Sequence, residues 1–191
     1  MAARTTMADL ITNLRGLTSA GSAEYTVAGN SYWTDDQLQT VLDRHVITVR
    51  DEVLKPYDKI EAGGSVSYFD YQSSYRFLET TSGGTSRFVV KDATHTAVGT
   101  AAYTVDYPRG LITFGTTTTG QTRYLDAFSY DLNAAAADIW SQKAAHYVTS
   151  YDVQTDNHGL KRSQIIQGCL TMSREYASGA RVFSVSIDRG D

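Results

Sequence analysis

The stretch Tyr130–Tyr151, YDLNAAAADIWSQKAAHYVTSY, constrains the fold more than any other, because its period is helical and its small residues restrict what can lie beside it. Asp131 is placed to cap the start, since its carboxylate accepts first-turn N–H groups that have no partner inside the helix. Leu132, Ala136, Ile139, Trp140, Tyr147 and Tyr151 share one face, the expected core seam, while Asp138, Ser141, Gln142 and Thr149 point away. The run Ala134 to Ala137 carries so little side chain that a neighbouring helix can approach closely. Lys143 falls inside the apolar stripe and is expected to pack its stem while its ammonium reaches water.

Three further helices are expected. Met7, Leu10, Ile11, Leu14 and Leu17 recur at helical spacing, and the polar, Gly-containing stretch from Thr18 to Gly29 reads as a loop. Thr34 and Gln37 have capping-box spacing, with Trp33 before the cap placed to pack on Leu38. The stripe that follows is Leu38, Val41, Leu42, Val46, Val49 and Val53, which Lys55-Pro56 is expected to stop. The last helix carries Ile165, Ile166, Cys169, Leu170, Met172, Tyr176 and Ala177 on one broad face and ends at Gly179, after a connector from Asp152 to Gly159. Trp33, Leu38, Leu42, Ile139, Trp140 and Tyr147 are the expected core anchors.

Between these helices the composition changes. Segments such as SVSYFDY, YRFLET, RFVVKD, YTVDY, LITF and RYLDAFSY read as strands, and Tyr107-Pro108-Arg109-Gly110 reads as a hairpin turn. The tail ARVFSVSIDRGD alternates, with Phe183, Val185 and Ile187 on one side and Ser184, Ser186 and Asp188 on the other. The expected fold is therefore α+β: a helical bundle formed by both chain ends, interrupted by an antiparallel β insert, with an extended C-terminal strand-like tail. The corresponding divisions are 1–56 with 131–179, then 57–130, then 180–191.

Leu, Ile, Val and Phe make up 40 of 191 residues, close to the lower limit for building a core. Thirteen tyrosines offset this, and their amphipathic rings suit subunit interfaces as well as core rims. The net charge of -4 argues against a nucleic-acid binder that works by displacing counterions. One cysteine makes no internal disulfide, and MAARTTMADL lacks the apolar core of a signal peptide, so a cytoplasmic site of synthesis is expected. No apolar run approaches the roughly 20 residues that span a bilayer.

No phosphate loop, metal-protease helix or nucleophile elbow occurs in the sequence. His45, His95, His146 and His158 are scattered without i, i+4 spacing; His45 lies on an apolar stripe, where a hydrogen-bonded core histidine is the default reading. Cys169 sits on an apolar face and is expected to be an inert buried thiol. Asp152, Asp156 and Asn157 do not have calcium-loop spacing. Neither catalytic residues, cofactor nor metal is expected, although a site assembled from distant residues stays open.

The segments LITNLRGLT, TDDQLQTVLDRH, YTVDYPRGLITF and YDLNAAAADIWSQKAAHY, in this order across most of the chain, resemble the head-tail connector, or adaptor, proteins of tailed bacteriophages. The resemblance implies a virion structural protein, a homo-oligomer in a ring, commonly of twelve copies in that family, at the neck below the portal at the capsid vertex. It implies a portal protein on one side and a tail-side neck or tail-terminator protein on the other. DNA would pass through without specific binding, and an acidic lumen would repel it. The resemblance also implies that the tail, through Arg181, Val182, Phe183, Val185 and Ile187, docks on portal strands. The β insert is large beside the smaller all-helical members of that family. A protein- or carbohydrate-binding module built on the Tyr-rich strands is the competing reading, and a hydrolase using His45 or His146 is a third.

Overall fold

The computed structural model describes residues 2–80, 87–148, 153–155, 158–160 and 162–181, with the backbone alone at 153–155, 158–160 and 162. A short 3-10 turn leads into α1 (Ala8–Thr18), which ends where Ser19 adopts a left-handed conformation. The strands β1 (Tyr25–Val27) and β2 (Asn30–Tyr32) form a small hairpin before α2 (Asp35–Arg44). Then come β3 (Val46–Val53), β4 (Lys55–Ile60), β5 (Val66–Gln72), β6 (Phe88–Lys91), β7 (Tyr103–Asp106), β8 (Leu111–Phe114) and β9 (Tyr124–Tyr130). The chain continues through α3 (Leu132–Tyr147), a hairpin of β10 (Val153–Thr155) and β11 (His158–Leu160), and α4 (Arg162–Ser178).

Every strand pairing is antiparallel. One sheet has three strands in the order β3-β9-β6 and another has four in the order β4-β5-β8-β7. The Tyr107–Gly110 turn joins β7 to β8 as the sequence suggests, and glycine is required there: Gly110 has φ +69° and a Cβ would collide with the Tyr75 carbonyl. The apolar residues gather into two cores. Met7, Leu10, Leu14, Trp33, Leu38, Leu42, Tyr130, Leu132 and Ile139 belong to one, built largely from helices. Val49, Leu54, Tyr71, Phe88, Val90, Ile112, Phe114 and Leu125 form the other, which lies among the strands.

This arrangement corrects the expected fold class. The chain ends do not make a helical bundle around an insert, because the helix expected to run from Leu38 to Val53 stops at Arg44. His45 closes it, its N–H reaching the Leu42 carbonyl at 2.9 Å. From Val46 the chain is a strand whose residues pair with β9, Val46 opposite Tyr130 and Val49 opposite Ala127. The physical reason lies in Val46, Ile47, Thr48 and Val49: four consecutive β-branched side chains lose χ1 freedom in a helix and fit a pleated surface. Val41, Val46, Val49 and Val53 match a helical period by coincidence, and sheet pairing overrides it. Pro56, read as a helix stop, sits instead in edge strand β4, where its missing N–H costs no ladder bond on the solvent side.

Other local readings hold. Thr34 and Gln37 make both bonds of the capping box, at 3.3 and 2.9 Å. Asp131 Oδ1 accepts from the N–H groups of Asn133 and Ala134, each at 3.0 Å. Ala135, Ala136 and Ala137 are buried, and α4 comes close enough for Ser173 Oγ to donate to the Ala137 carbonyl at 3.0 Å. The Asp152–Gly159 stretch, read as a connector, differs: it overlaps the antiparallel pair β10–β11, which runs on to Leu160. Tyr151 lies outside the described residues.

Of the expected anchors, Trp33, Leu38, Leu42 and Ile139 are fully buried, whereas Trp140 and Tyr147 are half-buried. Trp140 lies at the rim, its indole N–H donating to the Leu17 carbonyl at 3.3 Å and its ring beneath Lys143. Leu42→Ala should therefore cost about 2–5 kcal/mol, with Trp140→Ala costing less despite its larger side chain. Urea unfolding of both variants checks this; the reverse order would return Trp140 to the role of anchor.

Candidate functional site

The sequence places its interaction residues at the chain's end, and of these only Arg181 is described; Val182, Phe183, Val185 and Ile187 lie outside the described residues. Arg181 is held firmly. Its backbone N–H donates to Asp131 Oδ2 at 2.6 Å, so one carboxylate both caps α3 through Oδ1 and fixes the point where α4's extension leaves the helices. The Arg181 guanidinium lies 5.5 Å from the Tyr75 ring centroid, a cation–π contact. Asp131 N–H in turn reaches the His45 carbonyl at 3.1 Å, which brings Arg181 level with the start of β3. An open cleft of about 330 Å³ is lined there by Arg44, His45, Val46, Ile47, Asp131, Ala134 and Arg181. Along the same strand a wider groove of about 500 Å³ is lined by Thr48, Val49, Arg50, Glu52 and Tyr75.

A second surface is the β4–β5 hairpin. All six residues of β4 are exposed, and Ile60 opposite Val66 forms a cross-strand apolar pair at 73% and 50% exposure. Tyr57 of β4 and Val53 of β3 are also exposed, at 45% and 61%. An exposed apolar patch of this kind marks a contact surface. The backbone edge of β4 carries Pro56, Lys55 and Lys59, residues that discourage strand addition. Contact through this hairpin would therefore use its side-chain face. On α4, Ile165 and Met172 are also exposed and are spaced two turns apart on one face.

The titratable residues singled out in the sequence are dispersed. His45 Nε2 lies 2.8 Å from Asp138 Oδ2 at the α2–α3 contact, half-exposed rather than in a core. His95 stacks on Tyr124 beside Asp51, and the two basic groups Lys91 and His95 hold the Asp51 carboxyl below its usual range through hydrogen bonds. His146 stacks on Tyr25 at 3.8 Å between ring centroids. Cys169 is buried and burial pushes its thiol pKa up, as expected for an unreactive side chain. Among the described residues no three His, Cys, Asp or Glu side chains gather as a metal site, and no helix is long and apolar enough to cross a membrane.

Lys143 departs from its expected behaviour. Its ammonium does not reach water: the side chain is 3% exposed and donates to Glu24 at 2.6 Å and to the Thr18 and Ser19 carbonyls at 2.9 and 3.4 Å. Those carbonyls are the unpaired acceptors at the end of α1, where a cation is favoured by the helix dipole. Lys143 thus joins α3 to the end of α1 and to the loop before β1. Pairwise spacing along α3 held no sign of this, since every partner lies more than a hundred residues away in sequence.

Comparison with known protein families, curated proteins and solved structures finds no match to this chain.

Removing Glu24 leaves a buried ammonium without its counter-charge, so Glu24→Ala should cost about 3–5 kcal/mol, while Lys143→Met should come within about 1–2 kcal/mol of the native chain. Denaturant unfolding of the two variants separates them. Equal losses would mean that the packing of Lys143, rather than its charge pairing, sets its contribution.

Proposed function

We propose that this chain is a structural assembly subunit, a head-tail connector of a tailed bacteriophage that forms a ring below the portal and links head to tail. The observation that carries the reading is the exposed apolar pair of the β4–β5 hairpin, Ile60 and Val66, left uncovered by either core. An isolated subunit leaves this face in water, and a neighbouring copy would cover it. The exposed Ile165 and Met172 of α4 offer a second patch for the opposite side of a ring contact. The order of segments across the chain supports the same reading through its resemblance to that family.

In this proposal a portal protein lies on one side and a tail-side neck or tail-terminator protein on the other, with DNA passing through an acidic channel it does not bind. The segment from Arg181 to Ile187 would dock on the portal. No catalytic step is part of the proposal, and the protein would belong to the virion neck after synthesis in the host cytoplasm.

The test is co-sedimentation with the portal protein encoded by the same genome, followed by electron microscopy of the pelleted complex. The wild-type chain should pellet with portal as a ring. Ile60→Ser/Val66→Ser should keep the native melting curve and portal contact but lose the ring. A wild-type chain that never associates with portal would overturn the connector reading, and rings formed by the double variant would remove the hairpin from the contact.

A further inference from the structure

The β4–β5 hairpin and the cleft at the start of β3 have opposite relief and matching chemistry. On the hairpin, Ile60 stands opposite Val66 and Asp58 opposite Tyr68, and the alternation of an antiparallel pair puts all four on one face. Ile60, Val66 and Asp58 are exposed, so this face projects two aliphatic side chains with a carboxylate beside them. Glu61 turns to the other face, where its carboxylate accepts from Ser67 Oγ at 2.8 Å and meets Lys59 at 3.3 Å.

In the cleft of about 330 Å³, Val46, Ile47 and Ala134 supply apolar walls, while Arg44 and Arg181 supply cationic ones. Asp131 lines it too, but that carboxylate is committed to three backbone N–H groups, those of Asn133, Ala134 and Arg181. His45, the remaining polar side chain there, has its Nε2 on Asp138 at 2.8 Å. An incoming aliphatic group with a carboxylate beside it therefore meets both an apolar surface and a charge of opposite sign.

We infer that the β4–β5 hairpin of one copy seats in this cleft of the next, with Ile60 and Val66 against Val46 and Ile47 and with Asp58 toward Arg44. The inference rests on the ring reading above and names the two surfaces that meet. A hairpin in a cleft is a head-to-tail contact, the kind that closes into a ring, whereas hairpin against hairpin would stop at a dimer. The eight residues of β3 set the base of the hairpin roughly 23 Å from the cleft, so each copy carries the two surfaces apart and can engage one neighbour with each. The exposed Ile165 and Met172 of α4 are the rival seat, but Glu175 stands one turn beyond Met172, a charge of the same sign as Asp58.

The test uses the full chain without portal, so that loss of this contact is read separately from loss of portal binding. Ile60→Cys and Val46→Cys chains, distinguished by isotope mass, are mixed and mildly oxidised; Cys169 is buried and stays in place, with the wild-type chain as control. Disulfides should join the two variants to each other about tenfold more than either joins to itself. Asp58→Arg added to the Ile60→Cys chain should lower the mixed product by up to about fivefold, the range of an exposed ion pair, and Arg44→Asp added to the Val46→Cys chain should restore it. Ile60→Cys joining to itself as readily, or joining a Met172→Cys chain as readily as Val46→Cys, would overturn the assignment by moving the seat to the hairpin or to α4. Mixed product indifferent to the charge reversals, or no bridging in any mixture, would overturn it too.

Discussion

The structure depends on one buried carboxylate, Glu79. Its side chain is fully enclosed and accepts from Thr6 Oγ1 and the Tyr130 hydroxyl, both at 2.6 Å, and from Arg4 Nε at 3.2 Å, with Arg87 Nε at 3.8 Å. Its N–H reaches the Phe128 carbonyl at 2.9 Å. These partners come from the first turn of the chain, from the end of β9 and from the approach to β6. Arg4 also grips Asp43 of α2 through two bonds, and that carboxylate, then Glu79, drives its guanidinium pKa upward. Burial, and then Glu79, raises the Tyr130 phenol, which therefore stays a donor. A charge this deep is tolerable only with its bonds complete. The network lies where the helical core meets the strands, and Tyr130 belongs to the helical core while its strand pairs with β3 and β6.

How much of this was legible follows from how local each signal is. The Thr34–Gln37 cap, the Asp131 cap, the alanine face of α3 and the Pro108–Gly110 turn are short-range devices, and the residues that make them stand within four positions of one another. The boundary at His45 was not legible by period, because valines three and four apart suit a helix as well as they suit alternate strand faces. The consecutive β-branched run from Val46 to Val49 was the available signal, and its weight depended on β9, some eighty residues on. Lys143 and Glu79 are harder still: their partners are set by the tertiary fold alone. For the candidate surfaces, alternation in the tail was readable, but the exposure of Ile60 and Val66 exists only once the sheets are built.

The strands β4 and β3 differ in how their backbone edges are guarded. β4 guards its backbone edge with Pro56 and two lysines while leaving an apolar side-chain pair outside. β3 carries neither proline nor lysine, but it has a bulge after Val49 and the charged run Arg50–Glu52, and it begins beside the point where Arg181 is pinned. The anchoring of Arg181 by the same carboxylate that caps α3 means that the position of Arg181 is set by the helical core.

The central claim is that Glu79 couples the helical and strand cores into one cooperative unit. Native-state amide exchange of the slowest residues in α1 and in β9 measures it directly. In the wild-type chain both sets should exchange through one global opening with equal free energies. In Glu79→Ala both should fall, by about 3–5 kcal/mol in the set that falls further, and they should no longer agree. Unchanged, still equal values in the variant would contradict the account.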